Sequence, residues 1–188
     1  MCNKYRSRLA IEALLGGFPD LRTPGGLPNL EPRDEISITD TAAIIHLDEE
    51  GAPALAQMRW SWPGPGGKPV YNFRSEGRRF ANGRCLIPAD GFYEFTDPEP
   101  PAPKRARKTR WLFTMTNEPW FCIAGLVRDG AWSMLTVEPG PDIAPFHDRQ
   151  IVVLDRRDWA AWLDPSISAR EIIQPLPAGK LSVQKVAT

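Results

Sequence analysis

Proline punctuates this chain twenty times in 188 residues. Each proline fixes its own φ and removes a backbone donor, so the pattern argues for short strands and loops over long helices. Between the prolines lie apolar runs of strand length. "ISITDTAAIIHL" (36–47) alternates and then turns apolar, "ALAQMRWSW" (54–62) follows after a Gly-Ala-Pro turn, and "WLFTMTN", "WFCIAGLVR" and "AWSMLTVEP" crowd together between 111 and 139. Such spacing predicts close-set, mostly antiparallel strands. Residues 6–15, "RSRLAIEALL", carry apolar positions near helical spacing, and "DRRDWAAWL" and "SAREIIQPL" read as short helices. "LSVQKVAT" closes the chain as a last strand. The fold class expected is α+β: a mostly antiparallel, barrel-like sheet core with a few peripheral short helices. No repeat and no composition break divides the chain, so a single domain over 1–188 is expected.

Charge excludes a polyanion partner met by bulk attraction, because 23 basic and 23 acidic side chains cancel. No apolar run approaches the about 20 residues of a membrane span. The first eighteen residues lack the unbroken apolar stretch of a secretory leader. Cys2, Cys85 and Cys122 are odd in number and far apart, which points to a reducing compartment: the cytoplasm, at the nucleoid when bound to DNA. These cysteines with His46 and His147 show no zinc-ligand spacing, so neither metal nor cofactor is expected. A monomer is the expected state.

Four islands carry more chemistry than packing requires: "MCNKY" at the start, "VYNFRSEG" at 70–77, "CLIPADGFYEF" at 85–95 and "APFHDRQIVVL" at 144–154. Once Met1 is removed, Cys2 offers an amine and a thiol on adjacent carbons, a pair no other position can supply. Alternation puts Asn72 and Arg74 on one face of an extended segment and Phe73 on the other. Glu94 lies among Phe92, Tyr93 and Phe95, where poor solvation raises a carboxyl's pKa toward neutrality; a solvated edge glutamate fits the spacing equally well. His147 stands between a proline-marked loop and an apolar strand, where an imidazole can give and take protons or simply be capped by Asp148. His46 has no such company and reads as structural. Trp60, Trp62 and Phe92 are candidates to stack on bases. Trp111, Trp120 and Trp132 read as core, and Trp159 and Trp162 as helix anchors. The tract "KRARKTR" (104–110) puts five cations in seven residues and reads first as a solvated hairpin tip.

In this order, the four islands resemble the SRAP family, the SOS response-associated peptidases. "MRW", "FCIAGL" and "SMLTVEP" extend the likeness through most of the chain. The resemblance implies recognition of abasic sites in single-stranded DNA and covalent capture through Cys2, with Asn72, Glu94 and His147 as the further catalytic positions. Arg74 and Arg149 are the implied phosphate contacts, with Arg78, Arg79, Arg84, Lys4 and Trp60 as further DNA-binding candidates. Family members commonly begin Cys-Gly-Arg. Here Asn3 adds a side chain, and Lys4 keeps the charge but loses the guanidinium fork.

An abasic deoxyribose opens to an aldehyde. An amine condenses with it, and the neighbouring thiol then closes a thiazolidine in an intramolecular step. An α-amino group with pKa about 7.7–8.0 keeps a neutral fraction at pH 7 that a lysine near about 10.4 lacks. On this reading Glu94 moves protons, His147 assists ring opening and Asn72 holds the terminus or the sugar. A Schiff base also permits weak β-elimination. Met1 removal by the protein itself or by an aminopeptidase are both open. Two rival readings remain at this level: a Cys–His hydrolase using Cys2 and His147, and a noncatalytic single-strand-binding module.

Overall fold

The computed structural model describes residues 2–98, 103 and 106–187. The first strands are β1 (Lys4–Ser7), β2 (Arg33–Ser37), β3 (Thr41–Leu47), β4 (Pro53–Trp60), β5 (Trp62–Pro63), β6 (Pro69–Val70) and β7 (Asn72–Arg74). Then come β8 (Arg84–Ala89), β9 (Gly91–Thr96), β10 (Thr109–Met115), β11 (Phe121–Arg128) and β12 (Ala131–Val137). The last are β13 (Gln150–Ile151), β14 (Val153–Leu154) and β15 (Leu181–Val186). Three short helices, α1 (Ile11–Gly17), α2 (Trp159–Leu163) and α3 (Ala169–Ile172), sit among them.

Five strands form one sheet in the order β15-β10-β9-β1-β2, antiparallel at every pairing. A larger sheet runs β13-β12-β4-β3-β8-β11-β14 and returns on itself because β11 also pairs with β12. Its core strands are therefore arranged like a barrel. Among the described strands only β12–β4 and β12–β7 pair in parallel, with one isolated parallel bridge between Arg22 and Ala54. The α+β class with a mostly antiparallel, barrel-like core is the one the sequence calls for.

Strict alternation sorts the barrel side chains into two cores. Cys85, Ile87, Phe121, Ile123, Trp132 and Met134 face a cluster shared with Cys2, Tyr5, Phe92 and Phe113 of the five-stranded sheet. Leu86, Cys122, Ala124, Leu126 and Leu135 face the other way, under Leu14, Trp159 and Trp162 of the helices. Both faces of β8 are covered, so it reads as an unbroken buried run. At Gly125 the strands β8, β11 and β12 leave no room for a side chain. A Cβ there would lie 2.4 Å from Ile87 Cδ1 and 2.9 Å from the Ser133 carbonyl oxygen.

One local expectation changes. The helix predicted over 6–15 begins only at Ile11, because residues 4–7 are taken into the sheet. Tyr5 pairs with Ile36 on one side and Phe92 on the other, and two ladders outweigh the weak helical preference of so short a segment.

Candidate active site

Cys2 runs into β1, which lies between β9 and β2 in the five-stranded sheet, and is 1% exposed, between the two sheets. Its Sγ donates to the Lys4 carbonyl at 3.2 Å. Antiparallel register sets Tyr5 beside Phe92 and Arg6 beside Gly91, so the chain before β1 runs along the half of β9 that carries Glu94.

Asn72 comes from the other sheet. Its strand lies parallel to β12, with Asn72 opposite Met134. Asn72 Nδ2 donates to the Cys2 carbonyl oxygen at 2.7 Å. Its Oδ1 is buried with no hydrogen-bond partner among the described residues, as is Asn3 Oδ1. Such acceptors cost free energy unless a donor arrives. Phe73 turns the other way against Trp62, with ring centroids 5.8 Å apart, as alternation requires.

Glu94 is 1% exposed and opposite Trp111 in the β9–β10 ladder. Burial pushes its carboxyl up to about 7, and the negative charge of Asp148 adds to the rise. The solvated-edge alternative for this residue is thereby excluded. Burial also pushes the Cys2 thiol well up, and the Glu94 charge pushes it further. A protonated thiol beside a carboxyl that titrates near neutrality is a donor–acceptor pair for moving one proton.

His147 ends a run of turns whose backbone is closed by Ala144 N–H to Gly140 O at 3.0 Å and His147 N–H to Ile143 O at 3.0 Å. Ile143 is fully buried, and the Phe146 ring packs 4.9 Å from Trp111 and 5.3 Å from Phe113. These anchors hang His147 beside β10. Burial holds its pKa below the ordinary value. The Arg149 N–H donates to Nδ1 at 3.0 Å. Asp148 Oδ1 lies 2.7 Å from Nδ1, placed to pair with the ring once it gains a second proton.

A family model described as SOS response associated peptidase (SRAP) matches residues 1–188. The chain belongs to the SRAP family. Two Bacillus subtilis relatives are named abasic site processing proteins. One, YobE, is 26% identical over 94% of this chain and 88% of its own. The other, YoaM, is 25% identical over 94% and 85%. The crystal structure of a Bordetella bronchiseptica protein superposes with TM-score 0.76 at 22% identity, over 100% of both chains. A phage-related protein from the same organism gives 0.77 at 23%, over 100% and 95%.

The SRAP chain distributes its candidate DNA-binding residues unevenly. Arg74, Arg78 and Arg79 are exposed. Arg78 lies 4.4 Å over the Phe73 ring. Lys4 pairs with Glu35, which also holds Arg110 at 2.8 Å. Arg149 is forked onto Glu76 and donates to Thr136 Oγ1 at 3.0 Å.

Two of the expected contacts are corrected by burial. Arg84 is 7% exposed and donates to the carbonyls of Phe80 (2.7 Å), Trp162 (3.3 Å), Asp164 (2.8 Å) and Ile167 (2.8 Å). It ties the helical segment to β8 with four of its five N–H donors. Trp60 is 0% exposed, stacked on Trp132 at 5.3 Å with its Nε1 donating to the Tyr71 carbonyl. Trp62 and Phe92 are buried too, so none of the three aromatics presents a face to a base. Cys85 and Cys122 are fully buried with raised thiols. His46 places Nδ1 2.9 Å from the Leu47 carbonyl.

Met1, Lys104 and Arg105 lie outside the described residues, and with them the processing step and the head of the basic tract. Among the described residues no group of three or more His, Cys, Asp or Glu is arranged to hold a metal ion, and no helix is long and apolar enough to cross a membrane. Asp148 stands beside His147 as its capping partner, whereas nothing in the sequence pairs Glu76 and Thr136 with Arg149. The only signal for them was their place inside or beside the islands.

Proposed function

We propose that this SRAP protein processes abasic sites in single-stranded DNA by trapping the opened sugar covalently at Cys2. After Met1 is removed, the neutral α-amine adds to the sugar aldehyde, and loss of one water leaves an imine. Sγ then bonds to the same carbon, and the thiol proton passes through Glu94 to the former imine nitrogen. The product is a thiazolidine, one water is released, and nothing is oxidised or reduced. As the sugar opens, His147 in its protonated form, paired with Asp148, gives its Nε2 proton to the ring oxygen, and the proton of the C1′ hydroxyl goes to solvent. Asn72 fixes the Cys2 carbonyl so that amine and thiol keep one orientation.

The observation that carries this reading is the pairing of Asn72 with the Cys2 carbonyl beside a carboxyl raised to about 7. Ring closure needs a base that is partly ionised at neutral pH. The names of the Bacillus subtilis relatives support the same substrate class. The hydrolase alternative needs a thiolate paired with an imidazolium. Burial moves both groups the other way, Cys2 up and His147 down.

The deciding experiment mixes protein shown by mass spectrometry to begin at Cys2 with a single-stranded oligonucleotide carrying one abasic site. A denaturation-resistant adduct is expected, absent with Cys2→Ala and absent on undamaged DNA. Its failure to form with the wild-type protein overturns the reading. Binding that is indifferent to the lesion and wholly reversed by salt would favour a noncatalytic single-strand binder.

A further inference from the structure

The Arg149 guanidinium is the better buried of the two cations implied to grip phosphate, and its fork is already taken. Nη1 and Nη2 both donate to the Glu76 carboxylate, and Nη2 also reaches Thr136 Oγ1 at 3.0 Å. The Arg149 side chain is 12% exposed and the Glu76 side chain 44%. The carboxylate is thus the solvent-side member of the pair. An anion arriving from solution meets Glu76 before it meets the guanidinium.

Glu76 is delivered to that place by a built turn. Ser75 is buried, its N–H and Oγ both donating to the Thr136 carbonyl, at 3.1 and 2.9 Å. Arg78 N–H closes the turn on the Ser75 carbonyl at 3.2 Å, with Gly77 at φ 70°. That backbone conformation suits glycine and costs other residues strain. Beside the turn opens a cavity of about 950 Å³, lined in part by Glu76, Arg78, Arg79 and Arg170.

We infer that Glu76 is an internal competitor for phosphate: it fills the Arg149 fork in the free protein and yields it to a phosphodiester of the bound strand. A carboxylate and a phosphate match the same guanidinium edge, so one must leave for the other to bind. The displaced carboxylate has Arg78 and Arg79 along the cavity to receive it. Removing the competitor raises affinity for single-stranded DNA, and the gain depends on Arg149. This inference rests on the DNA-binding reading above but not on the covalent chemistry.

The test measures binding of the full chain to an undamaged single-stranded oligonucleotide by fluorescence anisotropy across a salt series. Glu76→Gln is expected to bind about two- to fivefold tighter at low salt, the scale of one partly exposed ion pair. Its slope of log affinity against log salt steepens by about one contact. In an Arg149→Gln background the same substitution brings no gain. Equal or weaker binding by Glu76→Gln overturns the inference, since Glu76 would then hold Arg149 in place for DNA. A gain that persists without Arg149 overturns it too, as a bulk charge effect. No binding by any of the proteins overturns both this inference and the DNA reading. A gain accompanied by no adduct at an abasic site leaves the inference standing and removes only the covalent chemistry.

Discussion

Asn72 and Cys2 stand 70 positions apart in the chain and are joined by one hydrogen bond, Nδ2 to carbonyl oxygen at 2.7 Å, across two different sheets. The bond fixes the backbone of the residue proposed to react. It leaves the Sγ and the nitrogen free of Asn72, so its role is orientation.

Asn72→Ala keeps the fold and removes that anchor. Misplacing a reacting group by about 1 Å costs on the order of 100-fold. The adduct rate on an abasic oligonucleotide is expected to fall by about 10- to 100-fold, with undamaged-strand affinity nearly unchanged. A single-turnover time course on denaturing gels measures it. An unchanged rate would remove Asn72 from the mechanism.

Glu94 ties the rate to pH. Its carboxyl titrates at about 7, and only the ionised form accepts a proton. The adduct rate should therefore rise as pH passes from 6 to 8 in about the interval of that titration. Glu94→Gln should be slow throughout and lack that inflection. A parallel pH profile for the variant would assign the titration to another group.

The same carboxyl sets a stability slope of known sign. Its folded pKa is raised above the ordinary 4.5. The stability it contributes is present in full below about 4.5 and is lost as pH rises through about 7. The interval is worth up to roughly 3 kcal/mol at 1.36 kcal/mol per pKa unit. Glu94→Gln should therefore melt above the wild type at pH 8, with the gap closing toward pH 5. Calorimetry at the two pH values checks it.

Arg84 and Trp60 should behave as structural residues. Arg84→Met strands four carbonyl partners and is expected to cost about 3 kcal/mol or more. Trp60→Ala empties a stacked core site at a cost of about 3–5 kcal/mol. Denaturant melts give the losses. At temperatures where each variant is folded, its affinity for single-stranded DNA should match the wild type. A selective loss of binding by either would contradict the burial assigned to it.

Much of this protein is local and legible along the chain. Short strands follow from the prolines and from period-two alternation, and β8, β11 and β12 lie where apolar runs put them. The SRAP likeness rests on residues inside four short islands, each of which keeps its local structure of turn or strand. Only the tertiary structure decides which polar and aromatic residues are used up by the fold itself. Trp60 and Trp132 stack although 72 positions separate them, and Arg84 finds three of its four acceptors about 80 positions further along the chain. Glu76 reaches Arg149 from 73 positions away. Burial and pairing are properties of neighbours, and neighbours brought from distant segments leave no periodic trace in a sequence. For the same physical reason, the titration of Glu94 near neutrality belongs to the packed sheets around it and not to the residues "DGFYEF" alone.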